Sequence, residues 1–490
     1  MDSKNVAVDI IKNIFIFLNK KSDQKNMHKN FVLQKKIQNL FPLSFSFVKA
    51  FPKANLYLVG GALRDLLLLR PLKDLDFVVQ NISPLSLEKW FKTRGTLCFI
   101  GTRFGVYQFK TQKKKTLSVD IAFPRTEKKQ STSQGGYREF IFDVNPSLLI
   151  EEDLCRRDFT INSMAYDLKQ KKIIDPFDGM KDLQKKCIRA VGIPGERFEE
   201  DLSRMLRAIR FACELNFSVE KKTMKSIYTL APRLQNKKHE HFIVPRETIG
   251  KEFLKGFFAN PLHCLELYKK TGLLSILFQK TILAKENKKT LTYLCKKSSS
   301  LDVLLTSLFF WNKSEQLAAN VMKTYHFSLF PKEDKRHICR ETVHWLLKQA
   351  FFIEQNDPKT LSYCQYEALF FLERGKKLID LLEGIACGMS EKKQKTLKQK
   401  IRWIKQQKNK ISKNTHTLPG KNIPFLIDGN DVLKEYPIVS GPQIGEILNN
   451  IREEQLKGTI KTQRQALKWV REHANETNTE GANHDGPTIV

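Results

Sequence analysis

The chain has 490 residues, room for about three domains at roughly 150 residues each. It is 41% hydrophobic with 34 Phe, enough for aromatic-rich cores. Lys and Arg number 84 against 52 acidic residues, a formal charge of +32. Such an excess adds self-repulsion, not stability, and points to a polyanionic partner, nucleic acid first. No apolar run reaches about 18 residues, so no membrane-spanning helix and no membrane partner are expected. The N-terminus carries Asp2 and Asp9 and a Lys-broken stretch at Ile11–Leu18, unlike a signal peptide. That stretch reads as a short docking helix or an interfacial one. Nine cysteines lie scattered without a CxxC pair, which argues against a zinc site and for reduced core thiols in a cytoplasmic protein. The ten histidines form no HExxH or HxxxH array, and His239 and His241 sit in a charged loop.

Residues 1–50 read as short helices around a Lys/Asn/Gln-rich break at 20–30. From 51 to about 145 the texture changes. Short apolar runs at Leu56–Val59, Phe77–Val79, Val106–Phe109 and Leu117–Phe123 read as strands, with helices at 62–69 and 84–93. Residues 125–138 lack an apolar anchor and read as a loop, either loose surface or a lid. A β-like interlude at Lys172–Ile174 and Ile188–Val191 brackets an Asp-Pro turn. Beyond 197 the pattern is helical to about 412. Residues 391–413 carry ten Lys/Arg and one Glu, a solvated helix face or a phosphate-tracking stripe. Pro419 and Gly420 mark a boundary before a small helical unit at 425–472, and 474–490 reads as a polar, disordered tail.

Four constellations carry chemistry. In Leu56–Asp65 a strand runs into Gly60 and Gly61 and a helix begins. Glycines there admit close backbone approach, helix-start N–H groups can hold phosphate oxygens, and Arg64 lies one turn on. Asp74 and Asp76 stand two apart at a strand start, so their side chains share a face. Paired carboxylates repel unless a cation lies between them, and the hard, oxygen-seeking cation that accompanies nucleotides is Mg²⁺. Beside a phosphate-cradling turn, that pair suits phosphoryl or nucleotidyl transfer. Asp120, on a neighbouring predicted strand, is a third metal ligand, an acceptor of the hydroxyl proton, or simply a strand-end acid.

Next, Arg156 and Arg157 are expected to open a helix, a poor place for cations, so phosphates or Asp158 should partner them. Finally, Leu202, Met205, Leu206 and Ile209 give a helical apolar stripe, with Asp201 and Arg204 as i,i+3 neighbours on the other side. Cytosine and adenine each present an amine donor beside a ring-nitrogen acceptor, whereas uracil and guanine present a carbonyl beside a ring N–H. A carboxylate next to a guanidinium therefore suits C and A and mismatches U and G. Arg207 and Arg210 continue the line toward a triphosphate.

The runs LVGGALRD, KDLDFVV, EEDLCRRDFTINSMAYD, DPFDGMKDL and FEEDLSRMLRAIRFA, within residues 55–215, resemble the class II tRNA nucleotidyltransferase/poly(A) polymerase family. The resemblance implies an α+β fold: a polymerase-β-like nucleotidyltransferase palm, a mixed sheet with helices, followed by all-α neck, body and tail domains. On that pattern the chain divides into an N-terminal helical extension (1–50), catalytic palm (51–190), base-reading neck (191–260), RNA-binding body (261–420), helical tail (421–475) and disordered C-terminus (476–490). The resemblance also implies metal binding by Asp74 and Asp76, and nucleotide contacts from Gly61, Arg64, Arg157, Asp201, Arg204, Arg207 and Arg210. One pocket would accept CTP and then ATP without a template. The tRNA 3′-hydroxyl would attack the α-phosphate.

Within the family, Asp120–Glu127 and the polar loop after it resemble the flexible loop of CCA-adding members, and Ser440–Thr462 resembles the tail of bacterial ones. CCA addition to tRNA is the expected activity, with poly(A) addition and partial C-only or A-only addition as alternatives. A catalytically inactive RNA-binding protein is the alternative of another class. Three departures stand out: Asp178 where a glycine is usual, Leu202-Ser203 for Pro-Leu, and Glu247-Thr248 for Glu-Arg.

Overall fold

A computed structural model describes residues 32–72, 74–100, 105–110, 118–129, 140–238, 240–278, 285–297, 299–311, 315–327, 338, 340–371, 373–417, 423–437 and 441–473. The N-terminal stretch around Ile11–Leu18, most of the 125–138 segment, His239, Pro419 with Gly420, and the tail from 474 lie outside these residues. The chain forms two compact units that meet in sequence at Leu277 and Phe278.

The first unit is built on a seven-stranded mixed sheet, in order β3-β4-β5-β2-β1-β8-β9. Its strands are β1 (Asn55–Val59), β2 (Asp74–Gln80), β3 (Thr96–Ile100), β4 (Val106–Lys110), β5 (Ser118–Ala122), β8 (Ala165–Asp167) and β9 (Lys172–Ile174). Only β2 and β5 run parallel; the other neighbours are antiparallel. The helices used below are α1 (Leu43–Ala50), α2 (Gly60–Leu67), α3 (Pro84–Lys92), α4 (Ile150–Cys155), α5 (Pro194–Glu200), α6 (Ser203–Leu215) and α7 (Arg246–Ala259).

The alternation in β2 sorts its residues by face. Leu75 and Phe77 join an aromatic layer with Phe41, Phe47, Phe91 and Phe109, whose successive ring centroids lie 5.0–5.7 Å apart along Phe77–Phe41 and Phe47–Phe91–Phe109. Phe47 comes from α1, before β1, and Phe91 from α3, after β2, so these two helices cover this face. On the opposite face Val78 packs with Tyr57, Val59, Ile150, Leu154 and Ala165. Asp74 and Asp76 continue that second face beyond the apolar cluster, toward the strand start. The core thus ends where the carboxylates begin.

The structure alters several expectations. Arg125–Lys129 is not loop but strand β6, paired with β7 (Phe140–Val144) in a separate antiparallel hairpin. It shows no apolar alternation because its inward carboxylate, Glu127, meets arginines rather than a core. Arg156 and Arg157 follow α4 instead of opening a helix, so their charge suits the C-terminal end of the helix dipole. Asp201 is not helical: it lies between α5 and α6 with φ −144° and ψ 103°. Short strands at Ser218–Val219, Lys237–Lys238 and His241–Phe242 interrupt the expected helices. Of the described cysteines, Cys213 and Cys264 are buried core thiols, whereas Cys98 and Cys155 are exposed.

The second unit is helical. Leu301–Trp311 has every residue buried from Leu301 through Phe310. The basic run forms one helix, Glu391–Thr415, that turns Leu397, Ile401, Ile404 and Ile411 inward. Three of its lysines serve the unit itself. Lys400 donates to the carbonyls of Ile353, Glu354 and Asn356 at the end of the helix Arg340–Gln355, Lys405 pairs with Glu383, and Lys410 donates to the Tyr363 hydroxyl. Gly429–Glu435, Gly441–Lys457 and Gln463–His473 close around Val432, Ile447, Ile451, Ala466 and Val470.

Candidate active site

The strand β1 ends at Val59, and Gly60 turns the chain with φ +67°, the left-handed region that glycine adopts without strain. A Cβ at Gly60 would stand 2.9 Å from Arg157 Nη1 and 3.6 Å from Asp76 Oδ2. Side-chain-free backbone, a guanidinium and a carboxylate therefore meet at this turn. Gly61 follows, with Arg64 Nη2 3.6 Å from where its Cβ would be.

The parallel register pairs Asp76 with Asp120, and Asp74 with Ser118. The three predicted carboxylates thus lie on one sheet face, Asp74 and Asp76 at i and i+2 and Asp120 across the ladder. Burial raises the Asp76 carboxyl to about 6, and the charges of Asp74 and Asp120 add to it against the pull of Arg157 and Arg64. Burial also raises Asp120, opposed by a hydrogen bond from Gln108, whose Nε2 lies 3.5 Å from Oδ1. Excess negative charge built from hard oxygen donors fits a hard divalent cation, which commonly takes one or two carboxylates and completes its shell with phosphate and water oxygens. Among the described residues, no group of three His, Cys, Asp or Glu side chains forms a ready-made metal cluster.

Arg64, 7% exposed, pairs with Asp65 through Nε and Nη2, each at 2.9 Å, and gives Nη1 to Asn162 at 2.7 Å. Asn162 in turn donates to Asp158 at 3.2 Å. Asp158 accepts Nε and Nη2 of Arg207 at 2.9 and 2.7 Å. Burial alone would raise the Asp158 carboxyl, but the Arg207 guanidinium outweighs it and brings the group down to about 2. One polar chain therefore runs from α2 through Asn162 and Asp158 to α6.

A second chain serves Arg156, Arg157 and Arg204. The buried Asp153 carboxylate accepts from Arg156 at 2.8 Å and Arg157 at 3.0 Å. Arg156 also pairs with Glu127 at 2.6 Å, and Glu127 reaches Arg204 at 3.3 Å. Arg204 gives its other terminal nitrogen to Glu200 at 2.6 Å. No ion pair joins the Asp201 and Arg204 side chains in the described residues. Asp201 instead accepts the Ser203 N–H at 2.8 Å and caps the start of α6, and its buried carboxyl is raised by desolvation. The two remain neighbours through the backbone bond from Arg204 N to Asp201 O, 3.1 Å.

Arg210, expected to contact the triphosphate, is buried, donates Nε to Glu252 of α7 and pairs with Glu214 at 2.8 Å. Among the described residues no hydrogen-bond partner is found for Arg207 Nη1, and the side chain is 37% exposed. Sequence reasoning missed Glu200, Asp153 and Glu252 as partners. Glu252 had a visible signal, a carboxylate three residues after Ile249 on the buried stripe of α7. Asp153 carried none, because a first-turn acid is ordinary at any helix start.

The Poly A polymerase head domain family matches residues 56–189, and the tRNA nucleotidyltransferase domain 2 (putative) family matches residues 365–470. The CCA-adding enzyme of Streptococcus suis is 28% identical over 419 residues, 84% of this chain and 91% of that protein. The multifunctional CCA protein of Stenotrophomonas maltophilia is 39% identical over 180 residues, 36% of this chain and 40% of that one. A CCA-adding enzyme in complex with ATP shares the fold with a TM-score of 0.63 at 22% identity, covering 94% of this chain and 98% of that one. The Thermotoga maritima CCA-adding enzyme complexed with tRNA-CCA gives 0.58 at 22%, covering 89% and 95%. With the sequence motifs, the mixed-sheet head and both domain matches in one order, this chain belongs to the class II tRNA nucleotidyltransferase/poly(A) polymerase family and is an enzyme of the nucleotidyltransferase class.

Proposed function

We propose that the protein adds CCA to the 3′ end of tRNA from CTP and ATP, without a nucleic-acid template. The observation that carries this reading is the convergence of Asp74, Asp76 and Asp120 on one sheet face with Arg157 and the Gly60 turn. Relatives matched over 84% of the chain are CCA-adding enzymes, which favours CCA over poly(A) addition. The tRNA 3′-hydroxyl attacks the α-phosphate, a P–O bond forms, and pyrophosphate leaves. Asp74 and Asp76 would hold Mg²⁺, which when bound would supply charge neutralisation at the phosphates and a more acidic attacking hydroxyl. Asp120, held by Gln108, stands ready as a third oxygen donor or as acceptor of the hydroxyl proton. The Gly60–Gly61 backbone and Arg64, Arg157 and Arg207 bind the triphosphate. Arg210 acts indirectly, by fixing α6 against α7.

Base choice falls to Asp201 and Arg204. A carboxylate acceptor and a guanidinium donor match the pairing edges of C and A, and an unpaired buried polar group costs about 1–3 kcal/mol for U or G. Glu200 and Glu127 hold the two terminal nitrogens of Arg204 and so set where its guanidinium lies beside Asp201. The palm, neck, body and tail division proposed from the sequence follows the same scheme, with the basic second unit holding RNA through phosphates and shape. A cytoplasmic location is proposed from the scattered cysteines, none of them in a CxxC pair. The test is Asp74→Ala: incorporation of C and A should stop while tRNA binding persists. Unchanged incorporation would remove the metal-site assignment, and unmeasurable activity in the unmodified protein would favour an RNA-binding role instead.

A further inference from the structure

Phe211 of α6 is 6% exposed and stands edge-on to Phe159 at 5.8 Å. Three guanidiniums lie over its ring. The Cζ of Arg210 is 4.0 Å from the centroid, that of Arg64 5.0 Å and that of Arg207 5.3 Å. Arg207 and Phe211 are i,i+4 neighbours on one helix, whereas Arg64 arrives from α2 on the sheet side. Three cations gathered around one point repel, and a leucine there would fill space without attracting any of them. An aromatic ring attracts each of them through its negative face, while their N–H groups bond to Asp65, Asp158 and Glu252. The same two arginines, Arg64 and Arg207, are also joined through Asn162 and Asp158.

We propose that Phe211 is a positioning residue that, with the Asn162 bridge, fixes Arg64 and Arg207 as a single nucleotide-binding unit spanning the sheet domain and α6. The inference rests on the nucleotidyltransferase reading above and extends it to a residue that touches no substrate. It concerns binding of the triphosphate, common to both nucleotides, and not the choice between bases. Loss of the ring should therefore weaken CTP and ATP alike and leave the carboxylate face on β2 and β5 undisturbed.

The test measures kcat and KM for CTP on a tRNA lacking CCA, and for ATP on a tRNA ending in CC, with the full chain and Mg²⁺. Phe211→Leu should raise both KM values roughly tenfold, the scale of one to two desolvated cation–π contacts, with kcat within about threefold. Phe211→Tyr, which keeps the ring, should restore KM. A Phe211→Leu protein with unchanged KM, or one that loses kcat with KM intact, overturns the proposal. Should that variant not fold, Arg64→Lys, Arg207→Lys and the double variant decide with Phe211 in place. A linked unit gives KM effects that fail to multiply; strictly multiplicative effects overturn the proposal. Failure of the unmodified protein to incorporate either nucleotide would strike the functional reading itself and is told apart in the same experiment.

Discussion

Glu127 Oε2 lies 3.3 Å from Arg204 Nη2 while its Oε1 holds Arg156 at 2.6 Å, so one carboxylate of the β6–β7 hairpin clasps both the residue proposed to read the base and the arginine following α4. All three side chains are mostly shielded, at 8–16% exposure, so this linkage is worth more than a surface ion pair. Replacing Glu127 by Gln keeps the shape and removes the charge. Arg204 would retain Glu200 but lose its link to the hairpin. The expected result is at least a fivefold rise in UTP incorporation relative to CTP, on a tRNA lacking CCA and given one nucleotide at a time. Selectivity unchanged from the unmodified protein would show that the hairpin does not set the position of Arg204.

Asp76 carries a cost in the metal-free protein. Its carboxyl ordinarily titrates at 3.8 and here is raised to about 6, first by burial and then by Asp74. A carboxylate whose folded value is raised is neutral in both states below 3.8, so the cost is absent there. It grows between 3.8 and about 6 and is fully present above, at about 2–3 kcal/mol. Asp76→Asn should therefore raise the melting temperature in chelator at pH 7.5, leave it nearly unchanged at pH 3.5, and abolish nucleotide addition. An equal or lower melting temperature at pH 7.5 would show that the three carboxylates are not in mutual repulsion.

Asp158 shows the opposite sign. Arg207 brings its carboxyl down from 3.8 to about 2 despite burial. Its contribution, about 2 kcal/mol, is fully present above pH 3.8 and is lost as pH falls through about 2. Asp158→Asn should lower stability at pH 7 by at least that amount and flatten the acid limb between pH 4 and 2. A denaturant titration repeated across that range checks both parts. An acid limb unchanged by the substitution would assign the dependence to other groups.

Gly60 and Gly61 are adjacent and should respond differently to alanine. At Gly60 the side chain would be forced into φ +67° and would meet Arg157 Nη1 at 2.9 Å, whereas at Gly61 the nearest atom is 3.6 Å away, an ordinary contact. Gly60→Ala should cost about 1–3 kcal/mol and reduce nucleotide addition by tenfold or more. Gly61→Ala should cost clearly less stability. Equal losses at the two positions, read by thermal melts and initial rates, would contradict the turn geometry.

Where side-chain chemistry repeats with strand or helix period, the sequence was informative. The alternation Asp74-Leu75-Asp76-Phe77 marked strand and carboxylate face together, and Gly60-Gly61 marked the turn before α2. The β6 strand was hidden because Arg125–Lys129 has no apolar residue to alternate; its pairing with β7 comes from backbone hydrogen bonds, and Glu127 is matched by charge. Spacing alone puts Asp201 on a helix, yet as a capping side chain it lies just outside one. Arg210 illustrates the remaining difficulty. Its partner Glu252 is 42 residues away, and only the folded chain brings the two together.

The most direct measurement supplies tRNAs ending before CCA, after C and after CC, together with a short poly(A) primer. Each is incubated with Mg²⁺ and single labelled nucleotides, then with CTP and ATP together. The account predicts two C and one A on the shortest tRNA, completion of the other two, little U or G, and no long tail on any primer. Long adenylate tails on every RNA offered would contradict it and assign the same site to poly(A) synthesis.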